Sequence, residues 1–228
     1  MRIQAIPDLH SKSIWKELVD LTCDKIIFLG DYVDDYPPTT DEQIITNLLD
    51  VIQFKKDNPD KVILLLGNHD EQYFNNYTGC SGYRISYAAT LKSIFEENRD
   101  LFQIAYQEQN YIWTHAGISE DWYKIFLKEV KVLPEGNIAD ELNGVFKSSD
   151  VDLITCVGRT RGGWAPYGGP IWADKSETYD YHFHGVIGYH QIVGHSKVPH
   201  ILKKEIGNSS ITYCDCLDYK EELLTIEI

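Results

Sequence analysis

Five short apolar runs, each cut off by glycine or a polar residue, constrain this chain more than any other feature. They are RIQAI (2–6), KIIFL (25–29), KVILLL (61–66), YIWT (111–114) and QIVG (191–194). Runs this short and rich in Ile, Leu and Val read as buried strands. Helical patterns separate the first three. SIWKELVDL places Ile14, Leu18 and Leu21 on one face. TTDEQIITNLLDVIQFKK opens with Thr40 and Gln43 at capping-box spacing, ahead of an apolar stripe of Ile44, Leu48, Val51 and Ile52. Further helices are expected over 84–97, 119–131 and 137–147, and HILKKEI, SITYCD and ELLTIEI close the chain as three strands. The order, βαβα first and β-rich last, predicts an α/β layered domain whose C-terminal third adds antiparallel strands. No repeat, low-complexity tract or linker interrupts it, so residues 1–228 are expected to form one domain able to bury a sizeable core.

The residues just past each strand are poor packing chemistry. Asp8-Leu9-His10 follows the first, and Gly30-Asp31, with Asp34 and Asp35 close behind, follows the second. Gly67-Asn68-His69-Asp70, His115-Ala116-Gly117 and Gly194-His195 follow the other three. Strand ends in an open α/β sheet face a common edge where ligands bind, so separate segments can aim at one place. An isolated Asp-x-His is commonly a surface accident, and a Gly after a strand commonly marks a turn. The ordered set at five strand ends makes accident a poor explanation. Carboxylate, imidazole and amide oxygen form a mixed donor set suited to manganese, zinc or iron. So many donors over-supply one ion; two ions about 3.5–4 Å apart sharing a carboxylate fit better.

Composition excludes more than it selects. With 21 basic against 35 acidic residues the net charge is −14. That disfavours a groove for long nucleic acid, which is bound largely through Lys and Arg, but not a small phosphorylated ligand. Cys23, Cys80, Cys156, Cys214 and Cys216 are odd in number, scattered and free of CxxC spacing, and read as free thiols in a reducing cytoplasm. MRIQAIPDLH lacks the apolar core of a signal peptide, and no run of 18 apolar residues exists, so no membrane association is expected.

Taken in order, DLH, GDYVD, GNHD, HAG and GH resemble the calcineurin-like metallophosphoesterases across residues 8–195. GDYVD, THAGIS and PIWAD resemble the phosphoprotein phosphatase branch, including its small bacterial and phage members. The resemblance implies an α/β fold, a layered α/β/β/α sandwich of two mixed β-sheets with a dinuclear metal site at strand C-terminal ends. It implies two divalent metal ions, manganese expected, with iron or zinc as alternatives. Asp8 and His10 would hold one, Asp31 would bridge, and Asn68, His115 and His195 would complete the other. A water or hydroxide between the ions would attack phosphorus. His69 would act as general acid toward the leaving oxygen, with Asp34 holding its ring. The implied substrate is a phosphorylated small molecule or a phosphoprotein.

Three positions refine this. Lys197, in GHSK, stands where many members carry a second His, a loss shared with the phosphoprotein phosphatase branch. Asp34 stands where purple acid phosphatases carry a Tyr ligand, which argues against them. Asp35 stands where phosphoprotein phosphatases hold a phosphate-gripping Arg, and an acid cannot replace it. Arg159 and Arg161 in GRTRGGWAPYGGP, and Arg84 in GYRISY, are the candidates to take its place. Residues 71–90 read as a substrate-shaping loop, and His182, His184 and His190 as surface or supporting histidines. The leading function is phosphomonoester hydrolysis on phosphoserine, phosphothreonine or phosphotyrosine. The alternative is hydrolysis of a dinucleoside polyphosphate or another small nucleotide, its base stacked on Trp164 or Tyr167. A catalytically silent scaffold is disfavoured because all the ligand positions are filled.

Overall fold

The computed structural model describes residues 1–75, 79–148 and 150–228. Four parallel strands, β1 (Arg2–Ile6), β2 (Lys25–Phe28), β3 (Val62–Leu65) and β4 (Phe102–Gln103), form most of one sheet. A second sheet runs β5 (Ala105–Glu108), β6 (Tyr111–Thr114), β7 (His190–Val193), β9 (Ser209–Tyr213) and β8 (Leu202–Ile206). Its inner pairs are parallel, and β5 and β8 are antiparallel edges. The last strand, β10 (Leu224–Glu227), leaves its neighbours β8 and β9 to pair antiparallel with β1. The three expected C-terminal strands therefore divide between two sheets.

Alternation along the strands explains the layering. Ile3, Ala5, Ile27, Leu29 and Leu65 meet Trp113 and Ile192 between the sheets. Ile26, Phe28 and Leu64 point outward to Ile44, Leu48, Val51 and Ile52 of α2 (Asp41–Asp57), whose Thr40–Gln43 capping box forms as expected. On the opposite face α5 (Glu120–Glu129) and α6 (Ile138–Phe146) bury Trp122, Phe126, Leu142 and Phe146. α3 (Asn68–Asn75), α4 (Ile85–Glu97), α7 (Val151–Thr155) and α8 (Lys175–Thr178) complete the helices used below, after α1 (Trp15–Leu18).

Two local expectations change. Helix α1 is one turn rather than two, and Leu21 is 57% exposed. The cause is buried Gln4, whose amide donates to Leu18 O while its carbonyl accepts the Asp20 amide, drawing the chain out of the helix. The consecutive strands β4 and β5, which lie in different sheets, are illegible in the sequence because FQ and AYQE are short and mixed, and a bend joins them. That bend is held by Asn143, whose Oδ1 accepts the Ile104 and Ala105 amides. Among the described residues no helix is long and apolar enough to cross a membrane, and no two cysteines are joined in a disulfide.

Candidate active site

The strand ends do converge. Asp8, His10, Asp31, Asp34, Asn68, His69 and His195 line one cleft of about 880 Å³, with Arg161 on its wall. His115 lies fully buried behind it, its Nε2 3.0 Å from both Asn68 Oδ1 and His195 Nδ1.

Reaching this geometry strains the backbone. His10 (φ 39°), Asp31 (φ 54°), Asp34 (φ 62°) and His195 (φ 61°) all occupy the left-handed region that side chains rarely adopt. Such conformations cost about 1–3 kcal/mol each and persist where the surroundings over-determine them. Two glycines make the room. A Cβ at Gly67 would meet Asp31 Oδ1 at 2.0 Å, and one at Gly194 would meet Asp8 Oδ1 at 2.1 Å.

Asp70, unassigned from sequence, ties the loops together. Its carboxylate accepts the amides of Gly67 (3.0 Å), Asp31 (2.7 Å) and Tyr32 (2.9 Å), clamping the β2 exit to the start of α3. Burial and neighbouring Asp31 push it up to about 8 in spite of those amides. The only sequence signal was a fully polar GNHD after an apolar strand.

The Asp34 carboxylate is saturated. His69 Nδ1 donates to Oδ2 at 3.0 Å, and Gln72 Nε2 donates to the same oxygen. The Tyr73 and Tyr87 hydroxyls both donate to Oδ1, Tyr87 at 3.1 Å. Burial would lower His69, but Asp31 and Asp34 outweigh it and raise it above the usual histidine value. Gln72 and Tyr73 lie on α3, within the stretch expected to be a loop, and Tyr87 lies on α4, the helix expected over 84–97. Residues 76–78 of that stretch lie outside the described residues.

Asp35 does different work from its neighbours. Its oxygens accept the Tyr36 amide at 2.7 Å and the Thr39 hydroxyl at 2.6 Å, fixing the turn before α2. Of the three candidate arginines, the fold brings one to the cleft. Arg161 bonds Asp174 through Nε (2.8 Å) and Ser196 through Nη2 (3.1 Å). Arg84 instead donates to Asp41 (2.8 Å) and to the Asp35 carbonyl (2.7 Å), behind the cleft wall. Arg159 is exposed away from it, and Trp164, 96% exposed, and Tyr167 also lie outside the wall. His184 bonds Asp180 and His190 bonds Ser210, so neither joins the cluster.

A family model described as Calcineurin-like phosphoesterase matches residues 1–199. The chain belongs to this family. It is 30% identical over 136 residues to a symmetrical bis(5'-nucleosyl)-tetraphosphatase of Nitrosospira multiformis, the match taking in 54% of this chain and 46% of that protein. The chain thus matches less than half the length of that curated relative. Its fold is similar to a cold-active protein-tyrosine phosphatase of a psychrophilic Shewanella, with TM-score 0.63 and 16% identity over 99% of this chain and 75% of that one. A second structure of a cold-active protein tyrosine phosphatase gives TM-score 0.64 and 17% identity over 99% and 73%.

This phosphoesterase's donor set fits the metal ions its family uses. Carbonyls can only accept, so His10 Nδ1 must donate to Asp34 O (2.9 Å) or Val33 O (3.1 Å), and His115 Nδ1 to Leu29 O (2.8 Å). Both Nε2 atoms then face the cluster, and each offers a lone pair to a metal ion once its ring is neutral. Asp31 Oδ2 stands 3.8 Å from His10 Nε2 and 3.3 Å from His115 Nε2, between the two. Ligand atoms of Asp31, His115 and His195 lie within 4.8 Å of one another, as do those of His10, Asp31 and His69. Lone pairs crowded this way are resolved by cations. Burial opposes a charge on His115, yet Asp31 and Asp8 push it up to about 10, so strongly do they demand positive charge. Burial, with His115 and Arg161 nearby, holds His195 well below the usual range and keeps it a neutral donor. Its Nε2 is buried without a hydrogen-bond partner among the described residues, as is Asp215 Oδ2.

Proposed function

We propose that this chain hydrolyses phosphomonoesters with two divalent ions, manganese foremost. Asp8 and His10 would hold one ion, Asn68, His115 and His195 the other, with Asp31 between them. When bound, the ions would neutralise phosphoryl charge and lower the pKa of water. The observation that carries the reading is the His69–Asp34 pair, set 3.0 Å apart against this donor set. Asp34 accepts from Nδ1, leaving Nε2 to carry the proton that the leaving oxygen takes. The His69 ring lies 4.8 Å from that of His10, so the proton would be delivered beside the cluster. Arg161, oriented by Asp174 and Ser196, supplies the planar donors for non-bridging phosphate oxygens that Asp35 cannot.

Phosphoserine, phosphothreonine and phosphotyrosine are the first substrates on this reading. Small-nucleotide hydrolysis is the second, favoured by the tetraphosphatase relative and by Asp35 in place of the arginine that grips phosphate in phosphoprotein phosphatases. Manganese-reconstituted protein should release phosphate from para-nitrophenyl phosphate. His69→Asn should slow poor leaving groups by about 10²–10⁴-fold, the usual contribution of a positioned acid. No turnover by the reconstituted protein, or an unaltered rate in His69→Asn, would sink the proposal.

A further inference from the structure

Besides Arg161 the cleft is lined by three lysines that the metal-ligand motifs do not require, Lys12, Lys175 and Lys197, and two of them meet. Lys12 and Lys197 each lie two residues beyond a left-handed histidine, His10 (φ 39°) and His195 (φ 61°), so the turns that aim those imidazoles also deliver the lysines to one rim. There they converge on Asp218. Lys12 Nζ is 2.8 Å from Oδ1, and Lys197 Nζ donates to Oδ2. Asp218 answers only one of the two ammonium charges, and Asp215 and Asp174 are the further acids on this side of the cleft. Each ammonium directs one N–H at Asp218 and has two more to give. Sharing a carboxylate also restrains both long side chains, lowering the entropy lost when they close on a ligand. Arg161 reaches Ser196, the residue between His195 and Lys197, so cationic groups stand on both sides of the His195 segment.

We propose that Lys12 and Lys197 form a second anion subsite, which receives the next phosphoryl group of a phosphoanhydride chain while Arg161 and the ligand cluster hold the terminal one. This rests on the hydrolase reading above and favours its second substrate class over the phosphoamino acids. One water adds across the terminal P–O–P linkage. The bond from the terminal phosphorus to the bridging oxygen breaks, that oxygen keeps the electron pair as the end of the shortened chain, and no redox partner is needed. Inorganic polyphosphate and nucleoside polyphosphates share this chemistry. An ester with a single phosphoryl group leaves the lysine pair unused.

The test compares kcat/KM for inorganic tripolyphosphate, a nucleoside triphosphate and para-nitrophenyl phosphate on the manganese-loaded protein. In the Lys12→Gln/Lys197→Gln variant, the preference for the anhydrides over the nitrophenyl ester should fall about tenfold or more, through KM. Lys12→Arg/Lys197→Arg should restore most of it. A drop confined to tripolyphosphate assigns the subsite to the free polyanion, and a drop confined to the nucleotide assigns it to nucleoside polyphosphates. An unchanged preference overturns the proposal while leaving the hydrolase reading intact. Absence of turnover on every substrate removes both.

Discussion

The two ends of the cleft are built to opposite rules. Around Asp34 both carboxylate oxygens are answered, by His69, Gln72, Tyr73 and Tyr87. At the other end His195 Nε2 and Asp215 Oδ2 are buried without partners among the described residues, and His115 Nε2 faces the acceptors of Asn68 and Asp31. Buried polar atoms normally find partners. The first end is complete as folded and so can hold a side chain in one pose. The second becomes complete only around positive charge.

That contrast can be broken most sharply at Asp31, which touches both ligand groups. Asp31→Asn should remove nearly all activity, about 10³-fold or more, together with bound metal measured by elemental analysis. Full metal content in an inactive variant would show that the open end does not depend on this carboxylate. Next, the open end should gain stability from metal and the closed end should not. Chelation should cost the wild type about 2.7 kcal/mol for each bound ion relative to metal at a hundredfold excess over Kd. In His195→Ala the increment of the ion it would hold should vanish, whereas Tyr73→Phe should retain both; equal increments in thermal unfolding would erase the distinction.

A smaller effect tests the closed end. In Tyr73→Phe/Tyr87→Phe, Asp34 loses two donors and His69 its fixed support. Alkyl phosphates should slow by about tenfold relative to activated nitrophenyl esters, because only poor leaving groups need a positioned acid. Uniform slowing of both would mean that the tyrosines merely hold the fold.

The smallest effect concerns Asp218. Burial would raise its carboxyl, but the hydrogen bonds from Lys12 and Lys197 prevail and lower it to about 2. A folded pKa below the unfolded value of about 3.9 adds stability that is present above pH 4 and lost as pH falls toward 2. Asp218→Asn should therefore be less stable than the wild type at pH 6, by about 1 kcal/mol for so accessible a pair. The gap should close near pH 2 in denaturant titrations, and a pH-independent gap would refute the cause.

Much of the cleft was legible because its donors follow apolar strands, where polar clusters stand out. Asp8, Asp31, Asn68, His115 and His195 needed no knowledge of packing beyond the rule that strand ends share an edge. Helix α3 escapes a sequence reading because the Tyr, Asn and Gly content beyond His69 hides the helical spacing that puts Gln72 and Tyr73 beside Asp34, whereas α4 follows the helix expected over 84–97. Asp215 was missed because it sits in CDC, where neighbouring cysteines suggest nothing about a carboxylate buried near Asp8.

By itself the sequence determined the layered α/β class, the donor types and the places where they leave the sheets, since strand periodicity and sudden polarity are local properties. Only the tertiary structure decided that Arg161 rather than Arg84 or Arg159 reaches the cleft, that two tyrosines close on Asp34, and that Lys12 and Lys197 share Asp218. Those contacts join residues tens to hundreds of positions apart, as in the His195 amide bound to Asp8 across 187 residues. Strand register and the packing of one layer on another set such distances, and no local pattern encodes them.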